Sequence, residues 1–518
     1  MFDLILRDKR VQLVGLIIVF FVLCLIIEPS ETNILWRFPS LLAQLPIIIN
    51  ESVDFLMFEF MPIEVFDPEI EEFEDKPLFK EITRAIARGI SFSIDLIREI
   101  LLGGVKTIVT FSSWDFVSEN KWAYWPALPW TVVSAIVVIL GYALKGPSLA
   151  MLACFSTVYI AVFGQWEPAM ETLSFVLVAA PISFLLGLTL GVLGYRNKAV
   201  ESALNPILNI AQTMPHFSYL IPVMVFFGVG DHAGAIATII FATPPMVRLT
   251  ILGLKKVPIE ISEAGMMSGC GNFQLLFRVL IPSARRDILI GINQVIMQCL
   301  AMAVIASFIG AKGLGFNLLL ALNQLRIGQA LELGICIVLI AVLLDKLSLA
   351  WANKQKNYFA DKTFLERHKY VVIMVSILIF GSIIAYLGNF IFTDTYNYLY
   401  LIPHNKGITT ENFWQAGVDW IWDTFFFKLK VFNEFLIISI LMPMKQAYLS
   451  MPIFATFVLV MGIGYIIGGI KSALIVGGFL LFIALTEWYD RALITAYMTT
   501  FGVIASAVIG ITVGSLCA

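Results

Sequence analysis

Apolar runs of about twenty residues recur along the whole chain, separated by short polar or glycine-bearing stretches. About twenty residues of helix are needed to cross a hydrocarbon core. The runs predict helical spans near 11–28, 127–144, 148–164, 171–194, 205–228, 233–254, 288–310 and 330–351, with further spans near 370–392, 451–470, 472–488 and 497–518. The period-two alternation of barrel strands is absent from them. The fold class expected is therefore all-α, a polytopic transmembrane helical bundle. Arg7, Lys9 and Arg10 precede the first run, and Glu28-Pro29-Ser30 follows it without a small-x-small cleavage site, so the run reads as a retained membrane helix.

Basic residues orient the spans, because cytoplasmic connections are enriched in Lys and Arg. Arg7, Lys9, Arg10, Lys145, Arg196, Lys198, Lys255, Lys256, Arg278, Arg285, Arg286 and the Lys354–Lys369 cluster fall on one side, which puts the N-terminus in the cytoplasm. Residues 29–126 then lie outside, acidic around Glu64–Asp75 and amphipathic near Ile90–Val109. That amphipathic segment suits either a helix lying on the membrane surface or an ordinary exposed helix.

A constant offset of 323 superposes two parts of the sequence without a gap: Pro129 on Pro452, Gly141-Tyr142 on Gly464-Tyr465, Gly146 on Gly469, and Gly187-x-Thr189-x-Gly191 on Gly510-x-Thr512-x-Gly514. The organisation expected is 1–126 as a membrane helix plus an extracytoplasmic segment, 127–357 as a first core unit, 358–450 as a linking membrane helix plus an extracytoplasmic segment, and 451–518 as the start of a second unit. Ala518 falls inside the span that the first copy carries past Tyr195, so the second unit is expected to continue beyond it.

Composition agrees with the pattern and adds exclusions. Hydrophobic residues make up 59% and charged residues 14%, against about 25% charged in soluble domains. A net charge of −3 gives no attraction to nucleic acid. The six cysteines fit neither a disulfide framework nor a zinc site, and the four histidines are scattered, so no metal site is expected. No Gly-x-x-x-x-Gly-Lys-Ser/Thr loop is present, so the chain has no such loop with which to hold ATP.

One polar and basic island stands between two apolar runs, from Pro258 to Pro282. It carries Pro258 at a first helical turn, Glu260 and Glu263 in the following turns, and glycines at Gly269 and Gly271, the grammar of two short helices around a break. Its residues Glu263-Ala264-Gly265, Gly269 and Val279-x-Ile281-Pro282 resemble the Glu-Ala-Ala…Gly…Ile-x-Leu-Pro loop of ABC importer permeases, with conservative departures at Gly265, Val279 and Ile281. The runs Asn205–Pro222, Phe241–Thr250 and Val304–Gly315 are similar to the glycine betaine/proline-type, quaternary-amine branch of that family in its tandem-fused form.

The resemblance implies a non-enzymatic permease subunit that binds no cofactor. Cytoplasmic ABC ATPase subunits would dock on such loops and consume the ATP, and a periplasmic or extracellular substrate-binding protein would deliver glycine betaine, proline betaine, choline or trimethylamine N-oxide. The second copy of the loop would lie near 263 + 323 = 586. Gln212, Thr213, Asn293, Gln294, Gln298 and Ser307 are neutral polar residues within predicted spans and are candidates for the path, although hydrogen bonding between helices accounts for such residues equally. The alternative is an ion-gradient-driven transporter of a small zwitterion, against which stands the scarcity of charge within the spans.

Overall fold

The computed structural model describes residues 9–30, 33–38, 47–48, 51, 65–67, 72–74, 77–103, 127–353, 369–391 and 408–517. In chain order the principal elements are α1 (Lys9–Ile26), the antiparallel pair β1 (Val65–Asp67) and β2 (Glu72–Glu74), α2 (Pro77–Arg98), α3 (Trp130–Lys145), α4 (Pro147–Val162), α5 (Trp166–Arg196), α6 (Lys198–Thr213), α7 (Phe217–Phe227) and α8 (Asp231–Lys255). They continue with α9 (Ile259–Met267), α10 (Arg285–Ile305), α11 (Leu314–Asn323), α12 (Ile327–Asn353), α13 (Lys369–Ile391), α14 (Glu411–Phe435), α15 (Met442–Leu449), α16 (Ile453–Leu485) and α17 (Tyr489–Cys517). Among the described residues six helices are long and apolar enough to cross a membrane.

Charge placement and helix polarity agree in the long spans. α5 begins with Glu167 and ends with Arg196, and α8 begins with Asp231 and ends with Lys255. Each charge sits where the macrodipole favours it. Prolines inside α5 (Pro181) and α8 (Pro244, Pro245) are accommodated within packed spans.

The chain forms two compact units, Pro77–Trp420 and Met1–Lys76 with Ile421–Ala518. In the first, α8 is the central helix, packed on α5 and α10. Glycines set the closeness of the α5–α8 crossing: a Cβ on Gly187 would stand 2.5 Å from Met246, and one on Gly191 2.5 Å from Thr250. The amphipathic α2 extends through a π-type turn to Gly103 and buries Ala87 and Ile94, packing on α5, α7 and α8. The bundle covers it only in part, since Ile82, Ile86, Phe92 and Leu96 stay 40–52% exposed; residues 104–109 of the expected segment lie outside the described residues.

The span expected at 205–228 is not one helix. α6 and α7 meet at an angle of 106° across Met214–His216. Pro215 disfavours helical conformation at Met214, which is extended at φ −65°, ψ 135°. An apolar run reports length and not straightness, which is why hydropathy merged the two.

The repeat survives as geometry. Gly146 (φ +90°, ψ −159°) separates α3 from α4, and its counterpart Gly469 (φ +71°, ψ −166°) kinks α16 at the same place. Both conformations are costly for a residue with a Cβ. The turns before α5 and α17 also match, with Gly164 at φ +69° and Glu487 at φ +59°. An apolar helix and then a π-ended helix precede each copy: α1 and α2 before the first, α13 and α14 before the second.

The leading apolar helices are exchanged. α13 packs on α3 of the first copy, with Gly381 against Val132 and Tyr370 6.1 Å from Tyr142. α1 packs on α16 of the second copy, where a Cβ on Gly462 would lie 2.5 Å from Leu16. The segment after α1 follows it: the Trp36 and Leu35 carbonyls accept from the Ile453 and Phe454 amides at 3.1 and 3.2 Å, which satisfies the open N-terminus of α16. Arg37 is 2.8 Å from Asp490. In a cysteine-free background, Leu16→Cys with Gly462→Cys and Val132→Cys with Gly381→Cys are each expected to form an intramolecular cross-link on oxidation. Each cross-link is read as gel mobility before and after reduction, and failure of either to form would contradict the packing described.

Candidate functional site

The polar island folds as its sequence grammar directs. Pro258 precedes α9, and the helix stops at Ser268, where Gly269 adopts φ +82°. The Gly269 and Cys270 amides donate back to the Met266 and Gly265 carbonyls at 2.9 and 3.2 Å, a left-handed glycine closure. A second helical stretch runs through Asn272–Gln274, a π-type segment Leu275–Leu280 and Ile281–Ser283. The Gln274 side chain accepts from the Gly271 amide at 3.2 Å. Gly265 is buried against Leu275 and Val279, and its ideal Cβ would lie 2.7 Å from Leu275. This explains why a position often filled by alanine holds glycine here: the hairpin closes on the bare backbone.

The other candidates in the island point away from that contact. Glu263, Ala264 and Gly269 are exposed, Pro282 is exposed, and Val279 and Ile281 are half-buried. Beside them stand exposed apolar side chains, Ile259, Met267, Phe273 and Phe277, the last two with ring centroids 4.4 Å apart. The hairpin is rigidly tied to the bundle, since Lys256 pairs with Asp287 at 3.1 Å and Ala284, Leu276 and Leu280 are buried. The result is an acid, a glycine turn and an apolar patch presented on a fixed support.

The path candidates do not form one hydrogen-bonded group. Gln212 and Thr213 are exposed at the α6–α7 break, where the Thr213 hydroxyl donates to the Asn209 and Ile210 carbonyls at 3.0 Å each. Asn293 is turned into the bundle, donating to Asp345 at 3.0 Å and accepting from Ser348. Gln294 is exposed, while Gln298 is half-buried with its Oε1 lacking a partner. Ser307 is buried and donates to Val304 at 2.6 Å. Asn293 and Ser307 therefore do the work of interhelical and local bonding, leaving Gln212, Thr213 and Gln294 accessible.

Two charged constellations were not foreseen. Glu332, 2% exposed near the start of α12, accepts from the Gln165 side chain at 3.3 Å, the Thr410 amide at 2.7 Å and the Thr409 and Thr410 hydroxyls at 3.2 and 2.9 Å. Arg326 pairs in bidentate fashion with Glu411 at 3.0 and 2.6 Å. Near the start of α8, Asp231 accepts from Arg98 at 3.1 Å and from the Lys312 amide at 2.7 Å. The signal for Glu332 was present: it is an acid inside an apolar run, the kind of residue a membrane retains only with partners. Its partners lie 78 residues away at Thr410 and 167 away at Gln165, so spacing could not name them.

The family model for the inner membrane component of binding-protein-dependent transport systems covers residues 183–354, which contain α6–α12 and the island. The trimethylamine N-oxide transport system permease protein TmoV of Pelagibacter ubique is 56% identical over 98% of this chain and 75% of its own length. The chain belongs to this permease family. TmoV of Ruegeria pomeroyi is 34% identical over 84% of the chain and 63% of its own length. The glycine betaine transport system permease protein OpuAB of Bacillus subtilis is 37% identical over 44% of the chain and 82% of its own length. The permease is thus a multi-pass inner-membrane protein with an internal repeat.

Proposed function

We propose that this permease is the membrane-spanning subunit of an ATP-driven importer for a small methylated amine of the trimethylamine N-oxide and glycine betaine class. The observation that carries the reading is 56% identity to a trimethylamine N-oxide permease along nearly the whole chain. A cytoplasmic ATPase docks on the Pro258–Pro282 hairpin, with Glu263 offered for polar contact and Met267, Phe273 and Phe277 for burial. Such a patch on an otherwise polar loop marks a protein interface. The ATPase consumes the ATP, and the chain itself holds no cofactor. A binding protein delivers the solute from outside, and the N-terminus lies in the cytoplasm.

Residues 127–357 supply the first half of the pathway. The 451–518 segment begins its counterpart, reached through 358–450. The neutral polar side chains accessible at the α6–α7 break suit a solute with no net charge, since a fixed charge in the path would hold it too strongly. The test is uptake of radiolabelled trimethylamine N-oxide by cells in which this permease is expressed with its ATPase and binding protein. Saturable, ATP-dependent uptake, competed by glycine betaine, is expected; absence of saturable, ATP-dependent uptake of trimethylamine N-oxide would overturn the reading.

A further inference from the structure

The break between α6 and α7 brings together two features that attract a cation of low hydration. The first is a helix C-terminus. α6 ends at Thr213, and its macrodipole places partial negative charge on the last carbonyls. Those of Ile210 and Ala211 are taken by the Met214 amide and the Tyr219 hydroxyl, which leaves the Gln212 and Thr213 carbonyls as the terminal acceptors. The second is a cluster of rings at the same place. The His216 ring lies 4.2 Å from Phe241, Tyr219 5.8 Å from Phe241, and Phe217 5.3 Å from Phe308. Tyr219 and Phe241 are buried behind, while Phe217 and Phe308 are 52% and 57% exposed.

The rings span a range of depths: Phe241 is ten residues into the 25-residue α8, about 15 Å from that helix's N-terminus at 1.5 Å per residue, while Phe308 precedes Ile309, whose carbonyl accepts from the Gly230 amide at that N-terminus. Helices broken near mid-membrane, with their carbonyl ends turned to a cationic ligand, are a recurring device of membrane transport. Rings with open faces bind quaternary ammonium groups through their quadrupoles. We propose that the α6–α7 break is a subsite for the methylated, positively charged nitrogen of the transported solute, with Phe217 and Phe308 facing its methyl groups and the α6 carbonyl end neutralising its charge. Gln212 stands at the rim, where its amide can donate to the solute's anionic oxygen. This rests on the importer reading above and adds to it where the solute is held.

The test uses a cysteine-free chain in membranes carrying Gln212→Cys, labelled by the trimethylammonioethyl or the sulfonatoethyl methanethiosulfonate, with Ser202→Cys on α6 as the reference. The ratio of cationic to anionic labelling is expected to be about tenfold higher at position 212 than at 202. Tetramethylammonium and trimethylamine N-oxide are expected to slow labelling at 212 alone. Phe217→Leu with Phe308→Leu should bring the ratio down to the reference, and Phe217→Tyr with Phe308→Tyr should keep it. An equal ratio at both positions, or one unchanged by the leucines, would overturn the subsite. Uptake of trimethylamine N-oxide without protection at 212 would remove the subsite and leave the importer reading. Protection by tetramethylammonium with uptake of an unmethylated solute only would remove the proposed substrate and leave the cation subsite.

Discussion

Gly269→Asp and Glu263→Lys are each expected to abolish ATP-driven uptake while the chain remains folded in the membrane. The two act on the same hairpin by different routes. Gly269 closes α9 at φ +82°, a conformation that costs about 1–2 kcal/mol for a residue with a Cβ and that aspartate visits more readily than most. A Cβ there meets nothing within 4 Å, so the hairpin persists and what changes is a negative charge on the docking face. Glu263 is exposed and makes no ion pair among the described residues, so lysine there costs the fold little and inverts the charge offered to the ATPase. A like-charge or unmatched contact at an interface costs about 2 kcal/mol or more, roughly thirtyfold in docking. The measurements are solute uptake and the ATPase activity that solute-loaded binding protein stimulates, both normalised to permease in the membrane. Wild-type values for both variants would remove the hairpin from the coupling role.

Gly187→Leu is expected to destroy the first unit, and Gly187→Ala to weaken it. The motif Gly-x-Thr-x-Gly is identical in both copies, and small residues four apart are the signature of closely crossing membrane helices. In α5 that closeness is realised. Gly187 faces Met246 and Gly191 faces Thr250, both fully buried, and each ideal Cβ would already stand 2.5 Å from its neighbour. A leucine adds three further carbons, and overpacking of this kind costs about 1–3 kcal/mol even where the core can shift. Recovery of folded permease after detergent extraction, followed by thermal unfolding, should place Gly187→Ala between the wild type and Gly187→Leu. Wild-type recovery of Gly187→Leu would contradict the packing described.

Much of this was legible along the chain. Hydropathy located the apolar helices because the solvent, a hydrocarbon slab of fixed thickness, imposes length and polarity on each helix independently of its neighbours. The island at Pro258–Pro282 announced two helices and a turn, since proline and glycine act through their own backbone preferences. The offset of 323 paired Gly469 with Gly146, and both take positive φ because the same local sequence meets the same local need. What the chain could not announce depends on contacts distant in sequence. The bend of 106° in one apolar run, the docking of α2 on the bundle, and the burial of Glu332 beneath Thr410 follow from which surfaces meet. The exchange of α1 and α13 between the two copies is of the same kind, for each apolar helix would satisfy its own lipid-facing needs on either partner. Only the close fits at Gly462 with Leu16 and Gly381 with Val132 select one arrangement, because an interhelical contact in lipid is decided by shape and not by hydrophobicity.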